Sequence, residues 1–72
     1  EPEPGTWYRH YKGKRYQVHG LAVHSETEEL LVLYSPEGSQ VVWARPHAMW
    51  FEPVKTPAGS VPRFRRDHEI RT

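Results

Sequence analysis

The chain has 72 residues, ten basic and nine acidic side chains, a formal net charge of +1, and only 36% hydrophobic residues. It is long enough for one small domain, its lack of cysteine excludes disulfides and thiolate metal sites, and its longest apolar run, Leu30–Tyr34, is too short for a membrane span or a signal-peptide core. Three Trp, four Tyr and two Phe must then supply much of the core of what we expect to be a soluble, cytoplasmic protein.

The first third of the chain predicts a disordered start followed by a β-hairpin. Residues 1–6 are rich in proline, so we expect a disordered N-terminal segment. Alternating side chains predict strands near 7–11 and 15–24, joined by a turn at Gly13. Beyond Gly20 the apolar residues move from even to odd positions, so we predict a β-bulge there that keeps one face of the strand in the core.

The segment 25–34 has two interpretations. Ser25 followed by Glu28 is typical of a helix capping box, and the apolar residues after it could line a helix. The apolar run 30–34 is short and ends at a Ser-Pro pair, which fits a buried strand about as well. We predict the strand, because a single short helix among hairpins would bury its apolar face poorly.

Two further strands are predicted in the second half, near 40–45 and 50–54, with one helical turn from Pro46 to Met49 between them. A short extended piece follows at 61–64. Polar composition predicts a mobile C-terminal tail over the remaining residues, 65–72.

Strands at this spacing predict an all-β domain over residues 7–64, with about five short antiparallel strands in a small barrel or sandwich. The predicted core consists of one apolar or aromatic set, namely Tyr16, Val18, Val23, Val32, Tyr34, Val42, Met49, Phe51 and Val61.

Three short motifs occur in a fixed order along the chain: His10-Tyr-Lys-Gly, His24-Ser-Glu-Thr and Trp43-Ala-Arg-Pro. Together with the residues around them, from about Tyr8 to Phe64, they resemble the DUF1653 family of short bacterial proteins of unknown function. Members of this family are similar to small SH3-like β-barrels, so the resemblance implies that fold. It implies no established activity.

The histidines invite a metal interpretation, but they show no HExxH motif and no Cys partner. Only the bulge at Gly20 could bring His19 and His24 to the same face. We interpret these residues as surface or hydrogen-bonding histidines, and we expect no metal and no other cofactor. The five positions are His10, His19, His24, His47 and His68.

Catalysis is not predicted either. The serines that could act as nucleophiles lie at predicted turns, and the only aspartate, Asp67, lies in the predicted tail. The strongest polar cluster is His24 with Ser25 and Glu26, and a turn whose side chains hydrogen-bond the backbone explains it. We therefore expect a chain that is not an enzyme.

Charge is distributed unevenly. Eight of the ten basic residues lie within residues 1–20 and 63–72, whereas residues 21–40 contain four glutamates and no basic side chain. If the two ends of the chain meet, they form a basic face interleaved with aromatic rings, which suits single-stranded nucleic acid. The aromatic residues concerned are Tyr8, Tyr11, Tyr16 and Phe64.

Small size, near-neutral charge and no catalytic constellation favour a monomeric binding or accessory module with a protein partner. Binding of single-stranded RNA through the basic face is the alternative. Tyr8, Tyr11 and Trp50 could supply the aromatic pair that SH3-type grooves use, which is an analogy between folds. The candidate binding residues are Tyr8, His10, Tyr11, His24, Arg45 and Arg63.

Arg45 is the principal candidate among them. The following Pro46 keeps it extended, and it shares strand parity with Trp43, so its guanidinium is expected near that indole or near a tyrosine of the first hairpin. A stacked guanidinium presents a planar donor fork that suits carboxylate or phosphate. The alternative is a structural role, in which Arg45 pairs with Glu26, Glu29 or a turn carbonyl.

Overall fold

Seven short strands and one 3₁₀ turn are found in the computed structural model, which describes residues 2–67. The described residues include no helix long and apolar enough to cross a membrane. In chain order the elements are β1 Trp7–His10, β2 Arg15–Val23, β3 Leu30–Pro36, β4 Trp43–Pro46, the 3₁₀ turn His47–Met49, β5 Pro53–Thr56, β6 Gly59–Pro62 and β7 Phe64–Arg66. The prediction of an all-β fold is confirmed.

The strands form two antiparallel sheets. The larger sheet has the strand order β4-β3-β2-β1-β7, and β5 pairs with β6 in a separate hairpin. The larger sheet curls so that its two edges approach each other. The guanidinium carbon of Arg45 on β4 lies 5.6 Å from the ring centroid of Phe64 on β7. Among the described residues these two edge strands do not pair, so the sheet is open, whereas we predicted a small SH3-like barrel.

The first three strands lie close to their predicted positions. β3 confirms the strand that we predicted over 30–34, and the helix alternative for that segment is wrong. β3 extends to Pro36 because it stays paired with β2 up to the register Tyr16↔Pro36. The turn between β1 and β2 contains Gly13 with φ 110°, a conformation that favours glycine.

The second half differs more from prediction. β4 begins at Trp43, and the expected helical turn is a 3₁₀ turn closed by a hydrogen bond from the Trp50 N–H to the His47 carbonyl. The strand predicted near 50–54 is present but displaced toward the C-terminus, because the chain continues to turn through Phe51 and β5 begins at Pro53. The extended piece predicted at the end divides into β6 and β7.

The predicted bulge at Gly20 is confirmed. Val18 pairs with Tyr34 and Gly20 with Leu33, so His19 is the extra residue on β2. Gly20 has φ 150°, and the register after it places Leu21 opposite the buried Val32, on the face that we predicted.

The core is built mainly from aromatic rings. Four predicted members are confirmed, namely Tyr16, Val18, Val32 and Tyr34, and the other buried side chains of the cluster are Tyr8, Trp50 and Phe64. Four predicted members are wrong because they are exposed: Val23 by 62%, Val42 by 52%, Met49 by 38% and Phe51 by 47%. Val61 is half-buried. Trp50 points inward after the 3₁₀ turn and leaves its two neighbours at the surface, Val42 precedes β4, and Val23 lies at the end of β2, beyond the core.

The two predicted end segments also contain ordered contacts. Gly5 donates its N–H to the Val18 carbonyl, Val18 donates its N–H to the Thr6 carbonyl, and Pro2 is fully buried. Within the segment 1–6, which we predicted to be disordered, Gly5 and Thr6 therefore lie along β2. At the other end β7 contains the first two residues of the predicted tail, 65–72, whereas Glu1 and residues 68–72 lie outside the described residues.

Candidate functional site

The turn between β1 and β2 positions the first component of the site, His10. Its N–H donates to the Lys14 carbonyl and its carbonyl accepts from the Gly13 N–H, so both sides of the residue are fixed. His10 is opposite Phe64 in the β1–β7 register, and the two ring centroids lie 5.0 Å apart. The ring of the next residue, Tyr11, lies 4.6 Å from His10.

Arg45 reaches the same place from the other edge of the sheet. It lies opposite Val32 in the β3–β4 register, so its side chain leaves the strand on the core face. The guanidinium lies over Phe64, whereas the predicted contact was with Trp43 or a tyrosine of the first hairpin. Its Nε is buried and has no hydrogen-bond partner among residues 2–67.

Arg63 is held by backbone hydrogen bonds on both sides. Its carbonyl accepts from the Tyr11 N–H at 2.9 Å, and its N–H donates to the Glu52 carbonyl at 2.9 Å. One terminal nitrogen lies 3.6 Å from Glu52 Oε1, which makes a long ion pair at the surface. The Arg63 Nε, like that of Arg45, is buried and lacks a hydrogen-bond partner in the part of the chain that the structure describes.

Burial and these cations together favour the neutral form of His10. Burial lowers the pKa of His10 below its ordinary value of 6.5, and the positive charges of Arg63, Arg45 and Lys12 lower it further, in that order. The Lys12 N–H donates to His10 Nδ1 at 3.2 Å, so the neutral ring carries its proton on Nε2. At neutral pH the site therefore combines three cations with an uncharged N–H donor.

Exposed apolar residues lead into the strand that carries Arg45. Val41 is 60% exposed, Val42 52% and Trp43 46%. The Trp43 indole meets the Tyr34 ring in a T-shaped arrangement, with 5.9 Å between centroids. In the described sheet β4 is an edge strand whose only neighbour is β3.

The structure brings four of the six candidate residues together and separates the other two. The four that meet lie around the ring of Phe64, and they are His10, Tyr11, Arg45 and Arg63. Tyr8 is only 2% exposed and belongs to the core.

His24 lies at the distant hairpin between β2 and β3. Its Nδ1 accepts hydrogen bonds from the N–H groups of Glu26 and Thr27. This geometry matches the structural interpretation of the His24 cluster, a turn whose side chains bind the backbone.

Two components of the site were not identified from the sequence. Lys12 lies two residues after His10 in the tight turn, a spacing that could have indicated their proximity. No sequence pattern indicated that Glu52 belongs to the site, because only the fold brings the chain after the 3₁₀ turn beside Arg63.

The predicted basic face is divided between the two sides of the sheet. β1 and β7 do pair, so the ends of the chain meet as the prediction required. Arg9 and Arg15, however, both bind the Asp67 carboxylate, at 3.1 and 2.9 Å, and Arg15 also binds Glu37. A groove of about 280 Å³ lies beside these two arginines, and its lining includes Glu37.

No group of three or more metal-binding side chains is found within residues 2–67. The His19 ring forms a 2.7 Å hydrogen bond with the buried Ser35 hydroxyl. His68, the last of the five histidines considered from the sequence, lies outside the described residues.

Comparison with known proteins agrees with the fold. Residues 6–66 match the family described as protein of unknown function (DUF1653). A crystal structure of a DUF1653 protein from Bordetella bronchiseptica is similar to this chain, with 37% sequence identity and a TM-score of 0.80 over 97% of this chain and 92% of that one. No curated protein matches. The chain thus belongs to the DUF1653 family, as the motifs in its sequence indicated.

Proposed function

We propose that this chain is a small, non-catalytic binding module that takes an extended segment of a protein partner along the edge of β4. One observation carries this proposal: three consecutive apolar side chains, Val41, Val42 and Trp43, are each about half exposed or more and lead directly into an edge strand. Exposed apolar residues in such a continuous row are typical of interaction sites.

The backbone of β4 supports the same function. An edge strand has unpaired N–H and C=O groups, and natural proteins usually protect them with charges, prolines or bulges. In β4 only Pro46, at its end, lacks an N–H, and only one charged residue, Arg45, lies in the strand. A partner strand can therefore add to this edge by backbone hydrogen bonds, with its side chains on the apolar row.

The geometry favours a protein over nucleic acid, which is the alternative that the charge distribution suggested. Base stacking requires accessible rings, but Tyr8, Tyr16 and Phe64 are 2%, 8% and 1% exposed. Two arginines of the predicted basic face, Arg9 and Arg15, are already paired with the Asp67 carboxylate. These ion pairs reduce the number of cations that β1 and β2 could offer to several phosphates.

We place this module, as a monomer, in the bacterial cytoplasm. The similar structure comes from a bacterium, and the absence of cysteine fits a reducing compartment. A chain of this size also offers little supporting structure around a catalytic group, which fits a module that only binds.

A pull-down from the lysate of a bacterium that carries the protein tests the proposal. We expect a captured protein that persists after nuclease treatment and is lost with Val42→Glu. Val23→Glu is the matched control, because Val23 is a valine of similar exposure, 62%, away from β4. Capture that disappears with nuclease, or that both variants reduce equally, would refute binding of a protein at β4.

A further inference from the structure

We propose that His10, Arg45 and Arg63 form a receptor for one carboxylate, presented by an acidic side chain of the segment that binds β4. The source of the carboxylate rests on the function proposed above, whereas the receptor itself rests on the geometry of these three residues. They lie where the two edges of the curled sheet approach each other, around Phe64.

The first support is the state of the two guanidinium groups. The Nε atoms of both Arg45 and Arg63 are buried without a hydrogen-bond partner among the described residues. Buried donors are almost always satisfied in folded proteins, so each of these guanidinium groups has hydrogen-bonding capacity that the described residues do not use. Arg45 and Arg63 both act on His10, so this unused capacity lies around one ring.

The second support is uncompensated charge. Three cations act on His10, namely Arg63, Arg45 and Lys12. Within residues 2–67 the one carboxylate paired with any of them is Glu52, at 3.6 Å from Arg63. Among the described residues Arg45 has no ion pair, including the predicted ones with Glu26 or Glu29. An anion placed between these groups would relieve their mutual repulsion.

The third support favours carboxylate over phosphate. A guanidinium binds a planar carboxylate with two parallel hydrogen bonds, and the neutral His10 can add a third from Nε2–H. Glu52 already shows that a carboxylate fits beside Arg63. A phosphate dianion would carry more negative charge next to Glu52 and would be repelled more strongly.

Strand geometry then fixes the spacing in the partner. Trp43 and Arg45 lie on the same face of β4, opposite Tyr34 and Val32 in the register with β3. Side chains of an added strand would follow the same two-residue period. The partner segment therefore needs an apolar residue and an acidic residue two positions apart, one for the indole and one for the guanidinium.

NMR of the arginine Nε–H groups tests the receptor directly. The probes are two blocked peptides, acetyl-Val-Thr-Glu-Thr-amide and its Gln counterpart, which differ only in the carboxylate. We expect saturable shifts of the Arg45 and Arg63 Nε–H signals with the Glu peptide, and affinity at least about ten-fold lower for the Gln peptide. Equal affinity of the two peptides would overturn the proposal.

Variants separate the site from general attraction between charges. Arg45→Lys and Arg63→Lys keep the charge but lose the donor fork, and each is expected to weaken the Glu peptide by about ten-fold or more. Arg66→Lys, at an exposed position of β7, is the matched control and should leave the affinity unchanged. An equal loss in the control would overturn the assignment, as would tighter saturation of the same signals by inorganic phosphate.

The receptor and the proposed function fail in different ways. Saturation by the Glu peptide without any nuclease-resistant partner in the pull-down would retain the receptor and refute the partner. A captured partner that depends on Val42, together with unresponsive Arg45 and Arg63 signals, would retain the partner and refute the receptor.

Discussion

Trp50 lies face to face with Phe64, with 4.0 Å between the ring centroids and 3° between the ring planes. This pair joins the end of the 3₁₀ turn to β7. Tyr8 and Tyr34 meet Trp50 edge-on at 5.4 and 5.0 Å. The centre of the core is thus a group of rings, which compensates for the low content of aliphatic residues in the chain.

Loss of this stack is expected to be the most destabilising of the aromatic truncations. Trp50 is fully buried, so Trp50→Ala should lower the free energy of unfolding by about 3–5 kcal/mol. Phe51→Ala is the matched control, because its ring is 47% exposed, and we expect less than half that loss. Urea unfolding measures both, and equal losses would contradict the observed core.

The central part of this core could not be predicted from local sequence. Trp50 and Phe51 are adjacent large aromatic residues, and the sequence offers no periodicity to show which one points inward. The 3₁₀ turn decides this, and its last hydrogen bond involves the N–H of Trp50 itself. Phe64 enters the core because β7 pairs with β1, a contact between distant parts of the chain that no local pattern reveals.

Gly20 gives a second prediction, about the backbone. Its φ of 150° is rare for L-residues, yet a Cβ there would have its nearest contact, Pro4 Cγ, at 4.0 Å. Strain rather than crowding should therefore make Gly20→Ala destabilising, by about 1–2 kcal/mol. A chemically synthesised chain with D-alanine at this position is the control and should be at least as stable as the parent in thermal unfolding. Equal losses for the two alanine enantiomers would contradict the backbone explanation.

The same glycine shows what hydrophobic alternation can and cannot predict. The change of parity at Gly20 was enough to predict the bulge and the face on which Leu21 lies. It could not predict that Leu21 and Val23 would be 40% and 62% exposed. Alternation identifies the face of a strand, whereas burial depends on which elements cover that face, and the core ends before these residues.

Asp67 provides a third prediction at the end of β7. Its carboxylate binds both Arg9 and Arg15, and the side chains of Arg15 and Asp67 are only 14% and 13% exposed. Asp67→Asn should therefore destabilise the fold by about 1–2 kcal/mol in chemical denaturation. Glu37→Gln, whose side chain is 54% exposed, removes a surface pair with the same Arg15 and is expected to cost less than about 1 kcal/mol. If Glu37→Gln destabilised the fold more than Asp67→Asn, the assignment of Asp67 as the stronger partner of Arg15 would be wrong.

The site was partly accessible from sequence. Arg45 was the principal candidate because Pro46 keeps it extended and it shares strand parity with Trp43, and His10, Tyr11 and Arg63 were candidates beside it. Their actual meeting point, over Phe64, depends on curling of the sheet, which strand patterns do not encode. Tyr8 was misplaced for a related reason, since a tyrosine in a short alternating strand suits a core as well as a binding surface.

The lowered pKa of His10 predicts a dependence of stability on pH. The folded-state pKa lies below 6.5, so near and below that pH the unfolded chain binds more protons and stability falls as pH falls. Lowering the pH from about 7.5 to about 5 should destabilise the parent more than His10→Gln, which removes this contribution. Urea unfolding at both pH values measures the difference, and an equal pH effect in the two proteins would contradict a depressed His10 pKa.

The most direct measurement of the site is the pKa of His10, followed by NMR in variants that remove one cation each. If the cations act on this ring as the structure indicates, the pKa should rise in all three variants, most in Arg63→Gln, less in Arg45→Gln and least in Lys12→Gln. Arg66→Gln, with its exposed side chain on β7, is the control and should leave the pKa unchanged. A His10 pKa that stays constant in Arg63→Gln and Arg45→Gln would show that these arginines do not meet at His10, and the proposed carboxylate receptor would not exist.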